Sequence, residues 1–263
     1  MRLGIIGYGA IGREVVEAGP RGALEGVELV AVLVRRPRRE PAGAPLTHEP
    51  DGFFAAQPDV VLECAGHGAV HEHGVRCLER GADLVLTSIG ALIDDALRIR
   101  LENAAQNARK KLVLASAGIG ALDILSAAAV GGLDRVAMTV RKDPSAWYGT
   151  EAESLCDLAR LAEPLVLYRG PVREGARRYP QNVNISAAVA FAGIGLDRTE
   201  LVIVADPTIR THVIEIEAEG AFGRFSFTES IEPTEENPKT GKLVAMALIK
   251  TVRQLASPVV IGA

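Results

Sequence analysis

His212 opens a run that alternates apolar and acidic residues up to Glu219. Strand geometry puts His212, Ile214, Ile216 and Ala218 on one face and Val213, Glu215, Glu217 and Glu219 on the other. An imidazole on the apolar side of a strand is either a satisfied core group or an acid–base group working near neutral pH. A second cluster lies at the N-terminus, where Gly7, Gly9 and Gly12 form Gly-x-Gly-x-x-Gly around Ala10 and Ile11. In a strand-to-helix turn these glycines permit the tight turn, the close approach of a pyrophosphate and the packing of helix on strand. The phosphates then meet the positive end of the helix dipole. Acid–base chemistry beside a dinucleotide is the chemistry of a hydride-transferring oxidoreductase.

Other residues refine or compete with that reading. An Asp or Glu at the tip of the second strand would hold the ribose hydroxyls of NAD. Here the tip carries Arg35 and Arg36, followed by Pro37, Arg38 and Arg39. Guanidinium groups suit a 2′-phosphate, although a solvated basic loop has the same composition, so NAD and NADP both stand as cofactors. Cys64-Ala65-Gly66, Ser88 with Gly90, and residues 116–120 including Gly118 follow three further apolar runs. In a doubly wound sheet such loops line the edge where the cofactor lies. Asn182 and Asn184 precede an alanine-rich stretch and either cap a helix or bind a carboxamide. Lys142 and Lys239 are candidate cations for substrate carboxylates. His67, His71 and His73 lie close in sequence, but no carboxylate or cysteine stands at a ligating interval, so no metal site is expected.

The elements that must position these groups follow from periodicity. Apolar runs at 2–6, 29–34, 60–63, 84–87 and 112–115 alternate with helical spacing at 10–18, 69–80 and 94–108. Near-continuous apolar strands separated by helices predict a parallel, doubly wound Rossmann sheet covered on both faces. Beyond 118 the spacing predicts a helix over 122–130, a strand over 136–141, a polar stretch to about 175 and a buried helix over 183–192. Strands over 200–205, 212–219 and 222–230 follow, the last two as a hairpin, giving an α+β half with a largely antiparallel sheet. A helix over 246–255 closes the chain, with Asn237-Pro238 read as its start signal, Asn as cap and Pro as first residue. The expected division is 1–118 for the dinucleotide, completed by a C-terminal helix within 238–263, and 119–237 for substrate, catalysis and oligomerisation.

Composition removes several function classes. A net charge of −4 leaves no basic footprint for nucleic acid. No apolar run approaches the ~18 residues of a membrane span, and the glycine-broken N-terminus does not resemble a signal peptide. Cys64, Cys77 and Cys156 are scattered and odd in number, which argues against a disulfide framework and for the cytoplasm.

Taken together, several motifs give the chain a family likeness. Gly7-Tyr8-Gly9-Ala10-Ile11-Gly12, the loop at 116–123, and Arg141-Lys142 followed by Ala146-Trp147-Tyr148-Gly149-Thr150 stand in order along the chain. Residues 179–184, His212, Gly220-Ala221-Phe222-Gly223 and Asn237-Pro238-Lys239-Thr240 continue the series. In this order and spacing the chain resembles the L-aspartate dehydrogenases over its whole length. The resemblance implies reversible NAD(P)-linked oxidative deamination of L-aspartate to iminoaspartate, then oxaloacetate and ammonia, supplying iminoaspartate for NAD synthesis. It implies His212 as the catalytic residue, Asn182 as a contact near the nicotinamide, a contact from the 116–120 loop, and a homodimer. The chain departs from the family loop Ser-Gly-Ala-Ile-Gly-Gly, carrying Ser116-Ala117-Gly118-Ile119-Gly120-Ala121 instead. Two rivals share parts of this pattern. A dihydrodipicolinate-reductase-like or homoserine-dehydrogenase-like enzyme acting on another small amino or keto acid is one, although the reductase's His-His-x-x-Lys is absent. A non-catalytic NAD(P)-sensing protein is the other, and it would need the glycines but neither His212 nor Asn182.

Overall fold

A computed structural model describes residues 1–37, 45–180, 184–235, 237 and 239–262. Arg38, Arg39, Gln181, Asn182, Val183 and Pro238 lie outside the described residues. The contacts divide the chain into two compact units, 1–117 with 245–263, and 118–244.

The first unit is built on six parallel strands: β1 (Arg2–Ile6), β2 (Glu28–Leu33), β3 (Leu46–Thr47), β4 (Val60–Glu63), β5 (Asp83–Leu86) and β6 (Leu112–Leu114), in the order β3-β2-β1-β4-β5-β6. That order reverses at β1/β4, which makes the switch point where open α/β sheets bind ligands. Leu3, Ile5, Val61, Leu62, Val85 and Leu86 are fully buried, as expected of strands covered on both faces. The helices are α1 (Ala10–Ala18), α2 (Pro50–Ala55), α3 (His67–Glu79) and α4 (Asp95–Ala108). Asp94 caps α4 by accepting from the N–H groups of Ala96 and Leu97 at 3.0 and 3.3 Å. Short β3 and α2 escaped the periodicity reading because two and six residues give too few repeats to register.

The second unit begins with α5 (Leu122–Val130) and β7 (Leu133–Lys142). The stretch to 175, read as merely polar, contains two 3₁₀ turns, the short α6 (Ala152–Leu155), strand β8 (Leu165–Pro171) and most of α7 (Val172–Arg178). Strand β8 is an edge strand with Val166 and Arg169 exposed, so it lacks the apolar run that marks a central strand. Then follow α8 (Asn184–Ala192), β9 (Glu200–Ala205), β10 (His212–Gly220) and β11 (Gly223–Ile231). The sheet order is β11-β10-β7-β9-β8, antiparallel except for β7 beside β9. Helices α5, α7 and α8 pack together, and the alanines of α8 are small enough for it to lie close on β7. The opposite sheet face is charged, with Arg135 bonded to Glu217 at 3.0 Å and Arg169 to Glu200 at 2.7 Å.

The closing helix, α9 (Leu243–Ala256), starts later than Asn237-Pro238 implied. Asn237 instead organises a turn: its Oδ1 accepts from the N–H of Lys239 at 3.0 Å, and its carbonyl accepts from the N–H of Thr240 at 3.0 Å. Pro233 then bridges to Gly241, which delays the helix.

Candidate active site

At the carboxyl edge of the parallel sheet three glycines shape the turn from β1 into α1. Gly7 has φ +103°, and a Cβ there would lie 2.8 Å from the carbonyl of Cys64. A Cβ on Gly12 would lie 2.3 Å from the Gly7 carbonyl oxygen, inside contact distance. Gly9 faces open space where a Cβ would meet nothing within 4 Å. The first turn of α1, which carries Ala10 and Ile11, holds no acidic residue, and Gly9 provides no capping side chain. A glycine-walled hollow at the positive end of a nine-residue helix fits a pyrophosphate. Arg35 and Arg36 are exposed just past the end of β2, where a ribose 2′-substituent would be read.

A residue that the sequence did not single out ties this edge together. Glu63, the last residue of β4, is 1% exposed. Its Oε1 accepts from the N–H groups of Ala65 and Gly66, both at 2.7 Å, and from Ser88 Oγ at 3.0 Å. Its Oε2 accepts from the Ser88 N–H at 3.0 Å. Burial pushes the carboxyl's pKa up, and the four donors pull against that. One carboxylate thus fixes both the Cys64-Ala65-Gly66 loop and Ser88, two of the expected cofactor segments. Cys64 packs against Thr87, and burial pushes its thiol pKa up, the character of a small structural thiol rather than a nucleophile.

The second unit carries the acid–base candidates. His212 is 5% exposed at the start of β10, on the face shared with Ile214, Ile216 and Ala218. It lines a cavity of about 170 Å³ with Asp143, Ser145, Ala146, Arg210 and Pro233. That is room for a small metabolite, well below the ~300–1,000 Å³ of a drug-sized site. Arg210 was not foreseen: its guanidinium donates to Asp143 at 3.0 Å, at the mouth of this cavity.

The pairing of β10 with β7 matches Val213 to Arg141, which brings the start of β10 and the end of β7, with His212 and Lys142, to the same end of the sheet. Lys142 is 3% exposed and donates to the Lys239 carbonyl at 3.2 Å. Burial and the neighbouring charge of Lys239 push its pKa down to about 7. The lysines read as carboxylate clamps are therefore adjacent but unlike, one deeply buried and the other half-buried beside Gly149.

Residues 118–121 pack beside β11. Gly118 is buried against Val244 and Ile185, and the Gly120 N–H donates to Glu229 at 3.2 Å. A Cβ at Gly120 would strike the Phe227 ring at 2.5 Å. Ala117 and Ala121 adopt φ +47° and +61°, a left-handed conformation costly for alanine, at the two places where the loop departs from Gly. Glu229 lies two residues from the cross-strand partner of His212, on the same sheet face. Burial pushes its pKa up to about 7. The expected Asn182 contact lies outside the described residues. His67 and His71 stand on α3 with His73 buried beside them, and among the described residues no three His, Cys, Asp or Glu side chains are grouped to hold a metal. Among the described residues, too, no helix is long and apolar enough to cross a membrane.

Comparison with known proteins bears on both units. Residues 123–255 match the family described as "Aspartate dehydrogenase, C-terminal", and residues 7–115 match "Homoserine dehydrogenase, NAD binding domain". The L-aspartate dehydrogenase of Cupriavidus taiwanensis is 40% identical over 264 residues, covering 98% of this chain and 99% of that protein. The L-aspartate dehydrogenase of Pseudomonas aeruginosa is 38% identical, covering 96% of each. Among solved structures, the aspartate dehydrogenase of Thermotoga maritima superposes with a TM-score of 0.78 at 25% identity, covering 99% of both chains. A dihydrodipicolinate reductase from Paenisporosarcina, at 16% identity and TM-score 0.53, shares the fold.

Proposed function

This chain belongs to the L-aspartate dehydrogenase family, and on that footing we propose that its NAD(P)-dependent oxidation of L-aspartate is carried out with His212 as the acid–base residue. The observation that supports the role is the position of His212: buried, on the apolar face of β10, and open to a cavity of metabolite size. The reaction moves two protons besides the hydride. One leaves the substrate ammonium, so that the nitrogen lone pair can form the imine. The other leaves the water that attacks the imine carbon. An imidazole with a neutral form near pH 7 serves such transfers.

The bound dinucleotide supplies the hydride acceptor. Gly7, Gly9, Ala10, Ile11 and Gly12 would cradle its phosphates, while Cys64, Ala65, Gly66 and Ser88, held by Glu63, would wall its path along the sheet edge. Gly118 and Asn182 complete the proposed cofactor contacts. Arg35 and Arg36 admit a 2′-phosphate, so both NADH and NADPH are expected to serve. Lys239 and Arg210 are the cations proposed for the substrate carboxylates, with Arg210 exchanging its bond to Asp143 for one to substrate. The protein is proposed to be a cytoplasmic homodimer, in line with its family likeness.

His212→Ala tests the assignment. Turnover should fall by about 100-fold or more, while NADH binding, read by fluorescence, stays within a factor of two or so. Undiminished turnover would refute the role of His212.

A further inference from the structure

We propose that Asp143 binds the substrate's α-ammonium, in the place that Arg210 leaves when it turns to the α-carboxylate; this rests on the aspartate-oxidising reading above. One cavity brings the groups together. Among the described residues lining the space of about 170 Å³ beside His212, Asp143 is the anion and Arg210 the cation. Asp143 directly follows β7, and Arg210 stands two residues before β10. The pairing of Val213 with Arg141 carries both connections to one end of the sheet. A carboxylate, a guanidinium and an imidazole thus share a space of metabolite size.

The two members of the ion pair are held unequally. Asp143 Oδ1 accepts from the Ser145 N–H at 2.9 Å, and its side chain is 22% exposed. Its Oδ2 accepts from Arg210 Nη1 at 3.0 Å, and that arginine side chain is 86% exposed. An ion pair with one member in solvent contributes little to stability, because water screens it and the long side chain loses freedom in keeping it. The pair therefore opens at low cost. It opens by the arginine swinging away, while the Ser145 N–H keeps the carboxylate in place.

An α-amino acid carries an ammonium and a carboxylate on the same carbon. Arg210 and Asp143 offer the opposite charges side by side, so each substrate group can replace one member of the pair. A dicarboxylate without the amine can take Arg210 only by leaving the half-buried Asp143 without a cation, and that penalty selects amino acids over hydroxy and keto acids. The same carboxylate serves the oxidation. His212 takes one proton from the ammonium, leaving a neutral amine. The Cα–H bond then breaks, its electron pair leaves as hydride for the oxidised dinucleotide, which is reduced, and the nitrogen lone pair becomes the second C–N bond. The nitrogen is neutral in the amine and positive in the iminium so formed. A fixed carboxylate beside it stabilises that charge as it develops.

Asp143→Asn tests the proposal, because the amide keeps an acceptor for the Ser145 N–H and removes the charge. With NAD⁺ saturating, kcat/KM for L-aspartate should fall by about 10–100-fold, the loss of a charge-assisted hydrogen bond. Succinate, which is aspartate without its amine, should inhibit competitively with an unchanged or lower inhibition constant, since Asp143 no longer competes for Arg210. A structural disturbance would weaken both ligands, and so should Arg210→Gln. Wild-type protein gives a second reading without any substitution. Its NADH complex, followed by NADH fluorescence, should bind 2-methylsuccinate, with a methyl in place of the ammonium, at least about 10-fold more weakly than L-aspartate. Equal binding of those two, unchanged kcat/KM in Asp143→Asn, or parallel losses for aspartate and succinate in that variant would each overturn the proposal while aspartate turnover by wild type stands. Wild-type protein that does not oxidise aspartate would refute the reading beneath it.

Discussion

Glu63 offers a sharp test of how the cofactor edge is built, because its carboxylate accepts four bonds, from Ala65, Gly66 and twice from Ser88. In Glu63→Gln the amide oxygen can occupy the Oε1 position and keep the bonds from Ala65, Gly66 and Ser88 Oγ. The amide NH₂ then faces the Ser88 N–H, which now sits 3.0 Å from a donor instead of an acceptor. A buried donor left unmatched costs about 1–3 kcal/mol, and hydrogen bonds to a charged acceptor are stronger than those to an amide. Together these put the loss near 3 kcal/mol, or a Tm lower by roughly 6–12 °C for a chain of this size. The same change removes one of the two bonds that tie the 64–66 loop to Ser88, so the dissociation constant for NADH should rise by about 10-fold. Calorimetry of the free protein and fluorescence titration with NADH measure the two effects. A Tm within 1 °C of wild type together with unchanged NADH affinity would refute the claim that this carboxylate holds the edge in place.

Gly12→Ala places a methyl 2.3 Å from the Gly7 carbonyl oxygen, a contact backbone atoms cannot relieve cheaply. Dinucleotide affinity should drop by about 100-fold or more, as read by equilibrium dialysis. Glu229 titrates near 7 in the fold against an ordinary 4.5, so the folded state binds its proton more tightly than the unfolded chain does. Its contribution to stability is therefore full below pH 4.5 and is lost as pH rises through about 7. Urea melts at pH 4.5 and 7 should show a smaller difference in Glu229→Gln than in wild type, and an unchanged difference would contradict the burial argument.

What could be read from the chain alone was local. The strand–glycine–helix unit from Arg2 to Ala18 and the two-faced run beginning at His212 show in sequence because each depends on spacing within about ten residues. Glu63 was missed because an acid ending an apolar strand looks like an ordinary solvent-facing cap. Its role depends on Ser88, 25 positions away, which only the β4/β5 pairing brings near. Lys142 and His212 are 70 residues apart, and nothing short of the β7/β10 pairing reveals that they lie at the same end of the sheet. Strand β8 hid because an edge strand needs no continuous apolar face. The start signal of the closing helix was placed too early because Asn237 has the chemistry of a helix cap and uses it on a turn. Ala117 and Ala121 hold left-handed backbone where glycine would have announced the turn.

The central claim is that this chain oxidises L-aspartate with a nicotinamide cofactor. The direct measurement is oxidation of NADH and NADPH, followed at 340 nm, by purified protein given oxaloacetate with and without ammonium. The account predicts turnover with either cofactor that requires ammonium and forms L-aspartate, and that disappears in His212→Ala. Protein that binds the cofactor yet shows no ammonium-dependent turnover with oxaloacetate would contradict it.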